Sequence, residues 1–337
     1  MMYGRSVFSV VFSILLFTEF TAATITEYIT KIYAASRAEV CNLVDCCHAS
    51  WEYANIDQLT TTLKSRVYGQ HIAIDYITSA LRGHIKGNNE KPLVMSFHGL
   101  PGVGKNFIAN FIKKNLFKYG EEDSHIYMFS GRLHFRIEKH VELYQEQLAS
   151  WVRGNVSNCA ASLFIFDEVD KIPPGVLDGI KPYLDYHNNI DGVDFRNSVF
   201  IFISDTGSKA ILDKMIDLYN NGSKREELSL SDFEELIRLG SFNEKGGLQK
   251  SDIVSRCVID HYIPFLPLEV QHVKNCIKDA FHRKGAQQVS DDDIQEVLQD
   301  VTFGPEKMKL FSKSGCKRIV QKVSVVLEKK RRKYGDL

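Results

Sequence analysis

A parallel α/β sheet between helices, followed by a small C-terminal helical domain, is the fold class this sequence predicts, on three observations. First, the short runs Leu93–His98, Ile126–Ser130, Ser162–Asp167 and Val199–Ser204 are mostly apolar from end to end. Strands read this way when helices cover both faces of their sheet. Second, helical stripes separate the runs: Phe107, Ile108, Phe111, Ile112 and Leu116 form one, and Val141, Tyr144, Leu148, Trp151 and Val152 another. Strand and helix patterns in alternation argue a parallel sheet. Third, a fifth apolar run, Ile259–Phe265, ends in the break Pro264-Phe-Leu-Pro267, beyond which the pattern is helical with no strand candidate. The polar stretch from Asn220 to Gly247 reads as one helix flanked by loops.

The first 23 residues stand apart from this fold. Arg5 precedes the apolar stretch Val7 to Phe17, and the small residues Thr21, Ala22 and Ala23 follow, which is the order of a secretory signal. The stretch is too short to span a bilayer, which takes about 20 residues. Next, Ile25, Tyr28, Ile29, Ile32 and Tyr33 share one helical face, which would either dock on the protein body or lie in a membrane interface.

Lys+Arg and Asp+Glu both number 42, so no global field draws the chain to nucleic acid. The one basic run, Lys329 to Lys333, has two readings, a nuclear localisation patch and a solvated last helical turn. Seven cysteines are too few for a disulfide scaffold and odd in number, leaving at least one unpaired or paired with another chain. Cys41, Cys46 and Cys47 cluster near the start, and no Cys/His spacing suggests zinc. Sequons stand at Asn155 and Asn221.

Two segments carry chemistry. Gly99-Leu-Pro-Gly-Val-Gly-Lys-Asn106 follows the first strand and opens a helix. Gly99, Gly102, Val103 and Gly104 expose backbone N–H groups to phosphate, and Lys105 adds a cation for the β- and γ-phosphates of ATP. Asn106 stands where Ser or Thr usually supplies a hydroxyl to Mg2+, and its amide oxygen is a substitute ligand. The second segment, Leu163-Phe-Ile-Phe-Asp-Glu168, ends an apolar strand in two carboxylates. Asp167 is placed to hold Mg2+ and Glu168 to polarise an attacking water.

With these motifs in place, the chain resembles the torsins, the luminal branch of the AAA+ ATPases. The resemblance rests on Gly104-Lys-Asn106, Trp151-Val-Arg-Gly-Asn-Val-Ser157, Phe164-Ile-Phe-Asp-Glu-Val-Asp-Lys171, Pro264-Phe-Leu-Pro-Leu268 and Ser314-Gly-Cys-Lys317. It implies an AAA+ P-loop fold with a five-stranded sheet over residues 55–265 and a helical lid over 266–337, preceded by a Cys-containing segment, 24–54. It further implies that Lys317 reaches the γ-phosphate, that Tyr68 and Gly69 in Val67-Tyr-Gly-Gln70 line the adenine side, and that Cys276 and Cys316 form a redox-active pair. Residence in the endoplasmic reticulum and nuclear envelope lumen follows by the same resemblance.

So does a partner. Torsins are activated by membrane-anchored luminal proteins that contribute an arginine finger, and the expected assembly is a homo-oligomer or a mixed ring. Clp-type relatives carry their own Arg where this chain has Val258, in Cys257-Val-Ile-Asp260, leaving Arg256 as the nearby candidate. The chain also departs from the family at Asp205, where torsins carry an Asn that senses the γ-phosphate. An ionised Asp cannot donate to phosphate, so it would face the metal or turn away. The expected function is an activator-dependent ATPase that remodels protein or membrane complexes. The alternative is a nucleotide-gated scaffold, favoured by Asn106, Asp205 and Val258 and opposed by Glu168. A ring-threading unfoldase lacks its aromatic pore loop, since Leu133-His-Phe135 has no flanking glycines.

Overall fold

The computed structural model describes Cys47 and residues 51–334. The signal sequence, the Ile25–Tyr33 stripe, Cys41 and Cys46 lie outside the described residues. In chain order the elements are α1 (Ile56–Arg66), α2 (His71–Ile85), β1 (Leu93–His98), α3 (Lys105–Leu116), β2 (Ile126–Ser130), α4 (Gly131–His134), α5 (Val141–Asn158) and β3 (Leu163–Asp167). There follow α6 (Lys181–Leu184), β4 (Val199–Ser204), α7 (Ser208–Asn220), α8 (Glu234–Asn243), α9 (Asp252–Ser255) and β5 (His261–Pro264). The C-terminal part holds α10 (Val270–Arg283), α11 (Asp291–Gln299), β6 (Phe303–Gly304), β7 (Phe311–Ser312) and α12 (Ile319–Tyr334).

The five strands pair in parallel in the order β2-β3-β4-β1-β5. Alternation along each strand divides the core in two. Met95, Phe97, Ile165 and Ile201 join a cluster with α1, α2, α3 and the C-terminal helices. Val94, Phe164, Phe166, Phe200 and Phe202 face a second cluster with α5 and α8. On that second face the rings run across the strands, with Phe164 stacked on Phe200 and Phe166 tilted against Phe202. Each buried Phe contributes roughly 1.5–3 kcal/mol. The edge strand β2 is only half-buried, and Met128 is exposed.

Register brings the functional ends together. His98 pairs with Ser204 and Pro264, and Ser130 with Asp167, so the loops after β1, β3 and β4 open on one carboxyl edge. In parallel α/β sheets this edge is where ligands bind.

The C-terminal region departs from expectation in one detail. It is helical, but β6 and β7 form a two-residue antiparallel pair where the sequence shows no strand. A pair this short has no periodicity to detect. The basic run lies on α12, with Lys329 3.1 Å from Glu296 and Lys330 paired with Asp293, both on α11, while Arg332 pairs with Glu328 in its own helix. That is the arrangement of a solvated helix end. A disulfide between Cys47 and Cys159, 112 residues apart, ties the segment before α1 to the end of α5. Closing a loop of that length contributes about 5 kcal/mol in the chain-entropy account. Among the described residues Cys257 is free and exposed, and no helix is long and apolar enough to cross a membrane.

Candidate functional site

The phosphate loop is shaped by backbone that only glycine adopts without strain. Gly102 and Gly104 lie at φ 80° and 114°, and a Cβ on Gly102 would collide with the Ser314 carbonyl and with Lys317. Gly104 caps α3, so the loop's amides and the helix N-terminus face one cavity of about 470 Å3. Pro101 through Asn106, Arg132, Asp167, Glu168, Asp205 and Lys317 line it, as do Val67 and Tyr68. Gly69 and Gly99 are not in its wall. They act through their carbonyls, Gly99 accepting from Lys105 Nζ at 2.5 Å and Gly69 from Arg225 Nη2 at 2.6 Å.

Lys105 is buried, and its ammonium also donates to the Leu100 carbonyl at 3.1 Å and to Asp205 Oδ1 at 2.7 Å. Burial pushes its pKa down, and Asp205 holds it up. Asp205 lines the same cleft as Asn106 and Asp167 and does not turn away from it. It sits on the phosphate-loop lysine.

Asn106 Nδ2 donates to Asp167 Oδ2 at 2.7 Å, and the Glu168 backbone N–H donates to Asp167 Oδ1 at 2.9 Å. Burial pushes the Asp167 carboxyl up, while the Asn106 amide and Glu168 N–H oppose it. The Asp167 carboxylate is a hard oxygen donor, and the Asn106 amide beside it presents its nitrogen to Asp167, so its oxygen would join the donor set once the amide turns. Mg2+ keeps several waters and takes few protein ligands, so this donor set fits it. Glu168 has φ 54°, a left-handed backbone uncommon outside glycine. Its carboxylate accepts from Ser130 Oγ at 3.1 Å and from Arg132 Nε at 2.9 Å.

The lid meets the phosphate loop directly. The Cys316 N–H donates to the Gly102 carbonyl at 2.9 Å, and a disulfide joins Cys316 to Cys276 on α10. Lys317 follows in the cavity wall. Val258 is buried, 2 % exposed, and its carbonyl accepts from Lys91, so that position faces the core. Arg256, two residues earlier, is exposed. The sequons lie away from the cleft, with Asn155 partly buried on α5 and Asn221 exposed just past α7.

Comparison with known proteins agrees with this geometry. A family model described as Torsin matches residues 41–166, and one described as Torsin-1A, C-terminal domain matches 268–325. A Torsin-like protein of Caenorhabditis elegans is 38% identical over 292 residues, covering 86% of this chain and 82% of its own. The chain belongs to the torsin family. A Torsin-like protein of Drosophila melanogaster is 37% identical over 292 residues, covering 85% and 86%. The fold is that of the AAA+ proteins. The S. cerevisiae Hsp104-ADP complex matches it at a TM-score of 0.58 and 18% identity, covering 82% of this torsin and about half, 48%, of that chain.

Several residues of this torsin's site escape a reading of the sequence. Ser130 ends an ordinary strand and Arg132 follows it, and only the fold brings them to Glu168. Gln70 stands inside a segment the sequence singles out, yet its partners are remote: Nε2 donates to the Val103 carbonyl at 3.1 Å and the Leu266 carbonyl at 2.8 Å. Arg225 has no local signal at all.

Proposed function

We propose that this torsin is an ATP hydrolase, slow by itself and activated by a partner, which remodels protein or membrane complexes in the lumen of the endoplasmic reticulum and nuclear envelope. The observation that carries the reading is the convergence of Lys105, Asp167, Glu168 and Lys317 on one cavity, while the buried Val258 presents no cation to a neighbour.

Each group has a role in that cavity. Backbone amides from Gly102 to Lys105 cradle phosphate oxygens, and Lys105 transfers its ammonium from Asp205 to the β- and γ-phosphates. Asn106 and Asp167 would hold Mg2+, which when bound neutralises phosphate charge. Glu168 orients the attacking water and accepts its proton as the general base. Lys317 contacts the γ-phosphate from the lid. Tyr68 and Val67 wall the adenine end, where burial and the Asp279 carboxylate raise the Tyr68 phenol pKa. Slow unstimulated turnover is supported by the pairing of both working groups inside the chain, Lys105 with Asp205 and Glu168 with Arg132. The missing guanidinium comes from a membrane-anchored luminal partner in a mixed ring.

The luminal location rests on the signal sequence, the sequons and the family. The two disulfides agree with an oxidising compartment. Redox control through Cys276–Cys316 belongs to the same proposal, because that bond anchors the turn carrying Lys317.

A fluorescent ATP analogue and a phosphate-release assay on the purified protein test the reading. Tight binding with slow release is expected, and absence of binding would remove it. The scaffold reading is favoured by the same two internal pairs. It predicts that Glu168→Gln matches the wild type in every partner and nucleotide assay.

A further inference from the structure

Arg225 is a buried cation in the loop between α7 and α8, and the cleft chemistry makes no use of it. Its guanidinium reaches three residues on two segments far apart in sequence. Nη2 and Nε donate to the Gly69 carbonyl at 2.6 and 3.1 Å, and Nη1 donates to the Pro267 carbonyl at 3.0 Å and to Glu269 Oε1 at 3.0 Å. Gly69 belongs to the segment at the adenine end of the cavity. Pro267 lies in the connection from β5 to the lid. Glu269 is the N-cap residue of α10, the first lid helix.

The contacts around this fork continue it in both directions. Beside Gly69, Gln70 joins the Val103 carbonyl of the phosphate loop to Leu266, whose N–H donates back to Gln70 Oε1 at 2.8 Å. His272 of α10 packs on Gly69 so closely that a Cβ there would lie 2.8 Å from its ring. Helix α10 also carries Cys276, bonded to Cys316, and Cys316 hydrogen-bonds Gly102. On the far side, Arg225 follows α7, which starts three residues after Asp205 and ends at Asn220. The same loop is fastened to α2 by His71 Nε2, 3.1 Å from the Leu228 carbonyl.

We infer that Arg225 is a positioning residue that pins the lid to the core, so that the phosphate loop, the adenine segment and Lys317 move as one unit with α7. A guanidinium suits this task because its planar, rigid fork serves several acceptors at fixed angles, whereas an ammonium is a single point donor. Burial of the guanidinium makes the pin costly to undo, since Gly69, Pro267 and Glu269 would each lose a charge-assisted bond, the one to Pro267 fully buried. The inference rests on the nucleotide-site reading for its effect on nucleotide release, and on geometry alone for its effect on the lid.

Hydrogen exchange measured by mass spectrometry on the full chain tests it, with wild type, Arg225→Lys and Glu269→Gln compared and release of a fluorescent ATP analogue followed in the same samples. Both variants are expected to speed exchange in residues 266–283 and 314–317 while β1, β3 and β4 keep their protection. The analogue should leave about tenfold faster from Arg225→Lys, the cost of one or two charge-assisted bonds. A purely structural role would raise exchange through the sheet as well, and that result overturns the pin. Unchanged lid exchange in both variants also overturns it. Should Arg225→Lys fail to fold, Glu269→Gln decides by the same criterion. If the wild type binds no analogue, the nucleotide reading fails, and lid exchange alone judges the pin.

Discussion

Two buried cations flank the same cleft, and their partners make them opposites. Lys105 and Arg225 are equally hidden, with side-chain exposures of 7% and 6%, and each pairs with a more exposed carboxylate, Asp205 at 44% and Glu269 at 32%. Lys105 is a point charge on a flexible stem whose one ionic partner sits on a loop, so it can trade that partner for phosphate. Arg225 is a planar fork bound to three acceptor residues on two segments at once, so releasing it means releasing all three. Under the proposed function the first pair exchanges and the second stays. Charge and burial alone would not have separated them; acceptor number and side-chain shape do.

The comparison can be broken at several points. Glu168→Gln removes the proton acceptor but leaves Lys105 free to exchange. Phosphate release should fall roughly 10³-fold with analogue affinity unchanged, general acid–base groups contributing about 10²–10⁴. A parallel loss of affinity would show that Glu168 holds the loop instead. Lys105→Ala deletes the exchanging cation, and calorimetry should find ATP affinity reduced by about 100-fold, two decades being about 2.7 kcal/mol.

His98 tests the platform beneath Asp205. It is fully enclosed at the end of β1, with Nδ1 3.0 Å from the Thr206 carbonyl and Nε2 2.6 Å from Ser96 Oγ. Burial pushes its pKa down to about 4, so the folded state binds fewer protons than the unfolded one below the ordinary value of about 6.5. The stability it gives is therefore full above pH of about 6.5 and is lost as pH falls toward 4. The loss reaches about 3 kcal/mol by linkage. Denaturation of His98→Gln should show a flatter slope across that window than the wild type, while His272 keeps a similar contribution in both. Equal slopes would mean that His98 does not set the acid response. The smallest effect is expected from Asp205→Asn. Weakening the hold on Lys105 should raise analogue affinity about threefold, a fraction of a kcal/mol. A fall would make Asp205 part of the phosphate site.

What could be read from the sequence follows from distance along the chain. The loop Gly99–Asn106 and the strand ending in Asp167 and Glu168 are local patterns, in which spacing, strand and helix occur within a dozen residues, and so are the four sheet strands around them. Asp205 is legible as a departure, yet its partner Lys105 lies 100 residues away. Arg225 meets Gly69 across 156 residues, and Cys47 meets Cys159 across 112. Such contacts are made by the folded sheet and have no periodic trace. The pairing of Arg132 with Glu168 is hidden for the same reason, since register between β2 and β3 creates it.

Steady-state phosphate release with and without the luminal domain of a membrane-anchored torsin partner tests the central claim most directly. If the chain holds a site complete except for one guanidinium, the partner should raise turnover by about 10³-fold or more, the range of an arginine finger supplied in trans. Mutating the partner's contributing Arg should cancel the rise. A partner that binds the ATP-loaded chain and leaves turnover unchanged would contradict the account.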